Sequence, residues 1–351
     1  MKDHVVKNNG LVRVHNTGGQ FWNVHLQSGG FTEFTKPFIE SGFLFPESSE
    51  SKFTHFISWG AMTPKEIAVV CAQIPLSNRV LIVVEPRVME PYTWSQKTLS
   101  QFGHLFAASR QWADKVGGEF FEWPQTASSS VYSKSPNLPL SRLKRVAIIQ
   151  TSKFNSISGE HFSLRRLVIC ELAKSGIPID VYGSGWQAST IRNIYRKIYA
   201  FGKALISIKY GSVVKFDILD FRAIRTNIQN NLGFVENVFD TLSKYKYCLV
   251  IENCDDYVSE KLFNALRAGC KVVYVGPKLE KYGYLIKSVV EAEPSVDSIM
   301  AKFRELFASS EIYDHVDIQG EAINWLKIAD SRTVYSKLAK QIVARFSPRF
   351  N

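Results

Sequence analysis

The chain has 351 residues, 45% of them hydrophobic, so it is longer than one core usually organises and ordinary in composition for a globular protein. Its formal net charge of +11 points to an anionic partner: nucleic acid, an acidic membrane surface or a nucleotide-bearing substrate. The apolar runs, such as Arg79 to Val84 and Val146 to Ile149, are strand-length and short of the ~18 residues a bilayer span requires, so no transmembrane helix is expected.

At the start of the chain, Asp3, Asn8, Asn9 and Gly10 interrupt the apolar stretch that a secretory signal needs. The expected location is therefore cytoplasmic, with peripheral attachment to the inner face of a membrane as the variant that the charge allows. Cys71, Cys170, Cys248, Cys254 and Cys270 form no C-x-x-C pair and sit mostly among apolar neighbours, which reads as buried thiols in a reducing compartment. The seven histidines are equally dispersed, so neither a metal nor a cofactor is expected.

Short β-branched runs then alternate with amphipathic ones. Lys65 to Gln73 reads as a helix, Arg79 to Val84 as a buried strand and Thr98 to Ser109 as mixed. From Pro124 to Ser141 the sequence turns rich in serine and proline, which marks a domain boundary. Beyond it Val146 to Gln150 reads as a strand, Phe162 to Lys174 as a helix and Ile179 to Tyr182 as a strand, followed by the turn Gly183-Ser184-Gly185. Tyr247 to Ile251 is a further strand. Asp256 is placed to cap a helix over Tyr257 to Ala268, Gly269 to end it, and Lys271 to Val275 to form the next strand. The expected organisation is an α/β domain over 1–140, a second over 141–310 and a helical segment over 311–351. Two such domains facing a cleft form the expected architecture.

The polar residues between Tyr245 and Gly276 stand where a strand gives way to a helix, the end at which open α/β sheets bind ligands. Val258, Leu262, Ala265 and Leu266 form the apolar stripe, which leaves Glu260, Lys261 and Asn264 off it near the first turns. The unpaired N–H groups of a helix N-terminus favour a phosphate, and Lys261 adds a full charge.

Tyr245-Lys246-Tyr247, Ile251-Glu252-Asn253, Asp256-Tyr257-Val258-Ser259-Glu260-Lys261 and, further on, Ala268-Gly269 and Val275-Gly276-Pro277 together resemble the signature of the α1,3/α1,4-fucosyltransferase family. Ile251 replaces a phenylalanine of that signature and Ser259 a threonine. Upstream, Arg165 holds the place, seven residues before Leu172, where the family keeps an arginine on the donor diphosphate; Arg166 adjoins it. Val83-Val84-Glu85-Pro86 is similar to the strand end that carries the family's catalytic base. The resemblance spans roughly Arg79 to Pro277.

It implies a GT-B fold of two Rossmann-like domains, the first on the acceptor side and the second holding the nucleotide sugar. It further implies GDP-fucose as donor substrate, a glycan acceptor, inversion with α1,3-linkage, and no required metal. Glu85 is then the base, and Arg165, Glu252, Asn253, Tyr257, Glu260 and Lys261 form the donor set. Glu260 suits ribose or sugar hydroxyls, and Tyr257 the nucleotide. Asp255-Asp256 reads as loop and cap rather than as a metal pair. Another GDP-sugar is the nearest alternative donor.

Arg192 to Arg225 is the second feature, with eight Lys/Arg against two Asp among aromatic residues. Ile191, Ile194, Ile198 and Leu205 fall near helical spacing beside Arg192, Arg196, Lys197 and Lys203. Three readings fit: a helix packed on its own domain with a solvated basic face, an interfacial membrane helix, or a nucleic-acid patch on a binding protein without transferase activity. Nucleic acid is the least favoured.

Overall fold

The computed structural model describes residues 9–16, 30–45, 52–60, 67–68, 70, 72–122, 141–215, 224–225, 228, 231–283, 286–309, 318, 325 and 330–346. The chain divides into two compact units, one of Met1–Ser129 with Lys327–Asn351 and one of Ser130–Leu326. The serine- and proline-rich boundary segment lies outside the described residues, apart from Ser141. Of the expected helix over Lys65 to Gln73, residues 67, 68 and 70 are helical.

The first unit is a parallel sheet of β1 (Gly10–Asn16), β2 (Phe43–Leu44), β3 (His55–Trp59), β4 (Arg79–Val83), β5 (His104–Ala107) and β6 (Glu119–Phe120), in the order β2-β1-β3-β4-β5-β6. Both faces of this sheet are covered, which is why β4 is continuously apolar instead of alternating. Val80 and Ile82 enter one core with Phe34 and Phe38 of α1 (Gly30–Glu40), and Leu81 and Val83 enter the other with Trp94 and Ala113. Two short helices follow β4 and β5: α2 (Gln96–Leu99) and α3 (Arg110–Val116). Ser109 caps α3 by accepting from the Trp112 amide, and Gly117, at φ 70°, ends it in the left-handed region. The C-terminal helix Ser331–Phe346 belongs to this unit, where it packs on α1 and sets Tyr335, Leu338, Ile342 and Phe346 into the first core.

The second unit contains β7 (Leu143–Ile149), α4 (Phe162–Lys174), β8 (Ile179–Tyr182), α5 (Thr190–Ser207), α6 (Val238–Leu242), β9 (Tyr245–Ile251), α7 (Glu260–Arg267), β10 (Lys271–Val275), β11 (Val289–Glu291) and α8 (Val296–Ala308). Its strands are parallel in the order β11-β10-β9-β7-β8. One core holds Leu262, Phe263 and Leu266 of α7 against Val250 and Tyr274. The opposite core holds Val168 and Leu172 of α4 and Phe303 of α8 against Ile148 and Leu249. Arg142 fastens the amino end of this sheet: its guanidinium donates to the carbonyls of Ser243, Ala268 and Gly269 at 2.9, 2.7 and 2.5 Å. These carbonyls lie just past the C-termini of α6 and α7, where acceptors are left over and the helix dipole is negative. Cys170, Cys248, Cys254 and Cys270 are free thiols. Both units are Rossmann-like α/β folds.

Candidate functional site

In the second unit β7 lies between β8 and β9, so the connections leaving β7 and β9 diverge to opposite sides and open a crevice at the carboxyl ends of the strands. A cavity of about 1150 Å³ occurs there, and every residue lining it belongs to this unit. Five of those residues are cationic, Lys153, Arg165, Arg192, Arg196 and Lys261, and none is Asp or Glu. Phe234, 87% exposed, lines it with Val235 and Val238 as an apolar wall.

Arg165 comes from the second turn of α4, whose amino end is held by Glu160: this carboxylate accepts from the Ser163 amide at 3.0 Å and the Ser163 hydroxyl at 2.7 Å. The buried Arg165 donates through Nε and Nη2 to the Ile251 carbonyl at 3.0 and 2.5 Å, and through Nη2 to Asn253 Oδ1 at 2.9 Å. The Asn253 amide is oriented from its other side, where Nδ2 donates to the Tyr257 hydroxyl at 3.1 Å. Burial pulls the Arg165 guanidinium below its ordinary pKa, and the Glu252 carboxylate acts against that shift. Arg166, the adjoining residue, is also buried but points elsewhere, against Ser152 and over the Phe154 ring.

Glu252 has no exposed surface. It accepts from the Ser259 amide at 2.9 Å and the Ser259 hydroxyl at 2.6 Å, and Lys261 Nζ stands 3.5 Å away. A carboxylate with no access to water persists only with such partners. Lys261 Nζ also donates to Ser259 Oγ at 3.1 Å, so Glu252 and Ser259 together fix the ammonium group at the cavity wall.

Ser259, and not Asp256, caps α7, which begins at Glu260 instead of Tyr257. Tyr257 and Val258 are drawn into the interior, and the backbone reaches helical geometry only beyond them. Asp255 Oδ1 instead stands 3.7 Å from His161 Nε2, and the Asp256 carbonyl accepts from the Tyr282 hydroxyl at 2.9 Å. Among the described residues no three His, Cys, Asp or Glu side chains gather as metal ligands.

The glycine turn after β8 borders the same cavity. Gly183 has φ 111°, and a Cβ there would lie 2.4 Å from the Gln150 carbonyl oxygen. Only glycine fits the close approach of this turn to the end of β7. Arg196 donates to the Gly185 carbonyl at 3.2 Å, which carries α5 into the site.

Of the residues singled out from sequence, Arg165, Asn253 and Lys261 line the cavity, while Glu252 and Tyr257 brace them from behind. Tyr257 is buried away from the lining and Glu260 is the half-buried first residue of α7 outside it. Glu85 lies in the first unit at the bend after β4, half-buried, its carbonyl accepting from Trp94 Nε1 at 3.1 Å. Sequence reasoning missed Gln150, Thr151, Lys153, Asn231 and Phe234, and it placed Arg192 and Arg196 only in a surface patch. Gln150 had a signal, a polar residue directly after the apolar run Val146 to Ile149. Its Nε2 donates to the Ile251 carbonyl at 3.2 Å, and its buried Oε1 has no partner.

No family model matches the chain, and no curated protein matches its sequence. Solved structures resemble it along nearly its whole length. The glycosyltransferase of Rickettsia africae ESF-5 is 10% identical with a TM-score of 0.50, over 95% of this chain and 98% of the other. An α1,3-fucosyltransferase is 14% identical with a TM-score of 0.51, over 96% and 88%. Anabaena HepE in complex with UDP is 11% identical with a TM-score of 0.52, over 95% and 99%. Identities this low establish likeness of fold, which is that of the two-domain GT-B glycosyltransferases.

Proposed function

We propose that this chain is an inverting glycosyltransferase that moves fucose from GDP-fucose to a hydroxyl of a glycan acceptor, with α1,3-linkage. The observation that carries this reading is the cavity at the strand-order reversal of the second unit, bordered by five cationic side chains and no carboxylate. Such a lining suits a diphosphate. Asn253 and Lys261 of the Tyr245-to-Gly276 segment line this cavity, and the resemblance of that segment to fucosyltransferases selects guanosine and fucose.

In the proposed reaction the acceptor oxygen forms a bond to the anomeric carbon as the bond from that carbon to the diphosphate oxygen breaks. The acceptor proton passes to the Glu85 carboxylate, and attack opposite the leaving group inverts the centre. Negative charge grows on the departing GDP. Arg165, held by the Ile251 carbonyl and Asn253, and Lys261, held by Glu252 and Ser259, are fixed before that charge develops and stabilise it without reorganising. These cations take the part that a divalent ion plays in other transferases, so activity survives excess chelator.

A panel of nucleotides scored by thermal unfolding tests the donor. GDP and GDP-fucose raise the midpoint by roughly 5 °C at about a hundredfold excess over Kd, and UDP and UDP-sugars far less. Equal stabilisation by UDP-sugars refutes the guanosine assignment; stabilisation and slow hydrolysis confined to a different GDP-sugar refute fucose alone.

A further inference from the structure

Helix α5 (Thr190–Ser207) is amphipathic in the inverted sense. Its buried residues are Asn193, Lys197, Ala200, Ala204 and Ser207, spaced by four, three, four and three, so one small and polar stripe packs on the second unit. Asn193 secures that face by donating to the carbonyls of Ala188 and Ile224 at 3.3 and 3.0 Å. The large apolar side chains point the other way: Ile191, Tyr195, Ile198, Tyr199 and Ile206 are each more than half exposed, and Ile194 and Leu205 are exposed beside them. Monomeric proteins scatter exposed apolar residues and seldom gather them along one helix.

The surround of this stripe is cationic. Between Thr190 and Lys215 there is no Asp or Glu. Lys203 stands 5.0 Å from the centre of the Tyr199 ring, and Lys209, just past the helix, 4.8 Å from that of Tyr210. Aliphatic and tyrosine side chains at the centre, with lysines beside them, match the layered chemistry of a bilayer surface, where rings and apolar groups enter the headgroup boundary and ammonium groups stay among phosphates. No helix among the described residues is long and apolar enough to cross a membrane, so a helix of this kind lies in the surface plane.

We propose that the outward face of α5 is a docking surface for an anionic lipid bilayer. A second copy of the chain fits worse: pairing this face with itself joins two cationic surfaces, with no carboxylate on either to offset them. An anionic leaflet supplies the missing negative charge. Through Arg192 and Arg196 the same helix lines the cationic cavity, so the lipid surface and the cavity share one helix. This inference stands whether or not the donor is GDP-fucose.

The test is co-sedimentation of the full chain with vesicles of phosphatidylcholine, with and without phosphatidylglycerol. The parent binds the vesicles that contain phosphatidylglycerol and leaves pure phosphatidylcholine largely free. Replacing Lys203 and Lys209 together by alanine lowers partitioning about 30-fold, taking roughly a kcal/mol of attraction per lysine. The pair Ile198→Glu and Ile206→Glu abolishes it, while thermal unfolding and nucleotide binding stay at parent values because all four side chains are exposed. Failure of the parent to bind either vesicle overturns the proposal, as does binding unaffected by both variants. It is also overturned if the parent self-associates in sedimentation velocity and the isoleucine variant becomes monomeric with vesicle binding unchanged.

Discussion

The sheets of the two units share parallel sense and, over five strands, the same order, yet they present different chemistry at the residues singled out from sequence. Past β9 the polar side chains interlock: Arg165 grips the Ile251 carbonyl and Asn253, Tyr257 holds Asn253, and Glu252 with Ser259 holds Lys261. Past β4, Glu85 lies on a bend whose carbonyl is anchored by the Trp94 indole. Under the proposed function this is a division of labour. A site that must hold a diphosphate through bond cleavage gains from charges fixed in advance, whereas a base needs one carboxylate able to take up a proton.

Substitution of Glu85 has the greatest consequence for turnover. Glu85→Gln preserves size and removes proton affinity, so turnover to acceptor falls about 10²- to 10⁴-fold while GDP affinity in calorimetry stays at the parent value. Transfer at near the parent rate removes Glu85 as the base and directs attention to Glu90, whose carboxylate accepts from the Thr93 hydroxyl at 3.0 Å.

On the other side of the comparison, Lys261→Ala weakens GDP binding by about 10- to 100-fold, the worth of a charge-assisted phosphate contact. Glu252→Gln weakens it less and lowers the unfolding free energy in urea by ~1–3 kcal/mol, because the buried carboxylate that holds Ser259, the cap of α7, is lost. Identical effects of the two changes on affinity and stability would mean that Lys261 is structural and does not touch the nucleotide.

Acid acts more weakly, through buried histidines in both units. His55 lies between Phe43 and Phe346 in the first unit, and burial lowers its pKa from 6.5 to about 4. The unfolded chain therefore binds a proton in this window that the folded unit refuses, so this contribution to stability is complete above pH 6.5 and is lost as pH falls toward 4. Burial lowers His161 in the second unit in the same direction. Unfolding midpoints measured between pH 7 and roughly pH 4 decline, and His55→Gln flattens the decline. An unaltered slope in that variant would assign the acid lability to other groups.

Much of the frame was legible in the residues. The bounds of α4, β8 and β10 follow from the sequence: β10 is an apolar run covered on both faces, the short β8 stops at the glycine turn that follows it, and a helical stripe marks the packed α4. Lys261 and Asn253 were legible because they sit where a strand turns into a helix. The cap of α7 was misread: Asp256 and Ser259 are both good caps by type, and the interior chose Ser259 by drawing Tyr257 and Val258 inward. Arg165 and Arg166 differ by one step of about 100° around α4, so only the roll of that helix on the sheet could separate the one that lines the cavity from the one held by Ser152.

Local sequence determined where the strands run, where the chain turns and which short segments carry charge, because periodicity, caps and glycine turns act over a few residues. The tertiary structure decided which charges meet. Lys153, Arg165, Arg192, Arg196 and Lys261 span more than a hundred positions and come together only because β7 and β9 are neighbours at the point where the strand order reverses. It also decided which way α5 faces. Its hydrophobic stripe is visible in the sequence, but periodicity alone does not distinguish a stripe that packs inward from one that points out, and here the small and polar stripe took the interior.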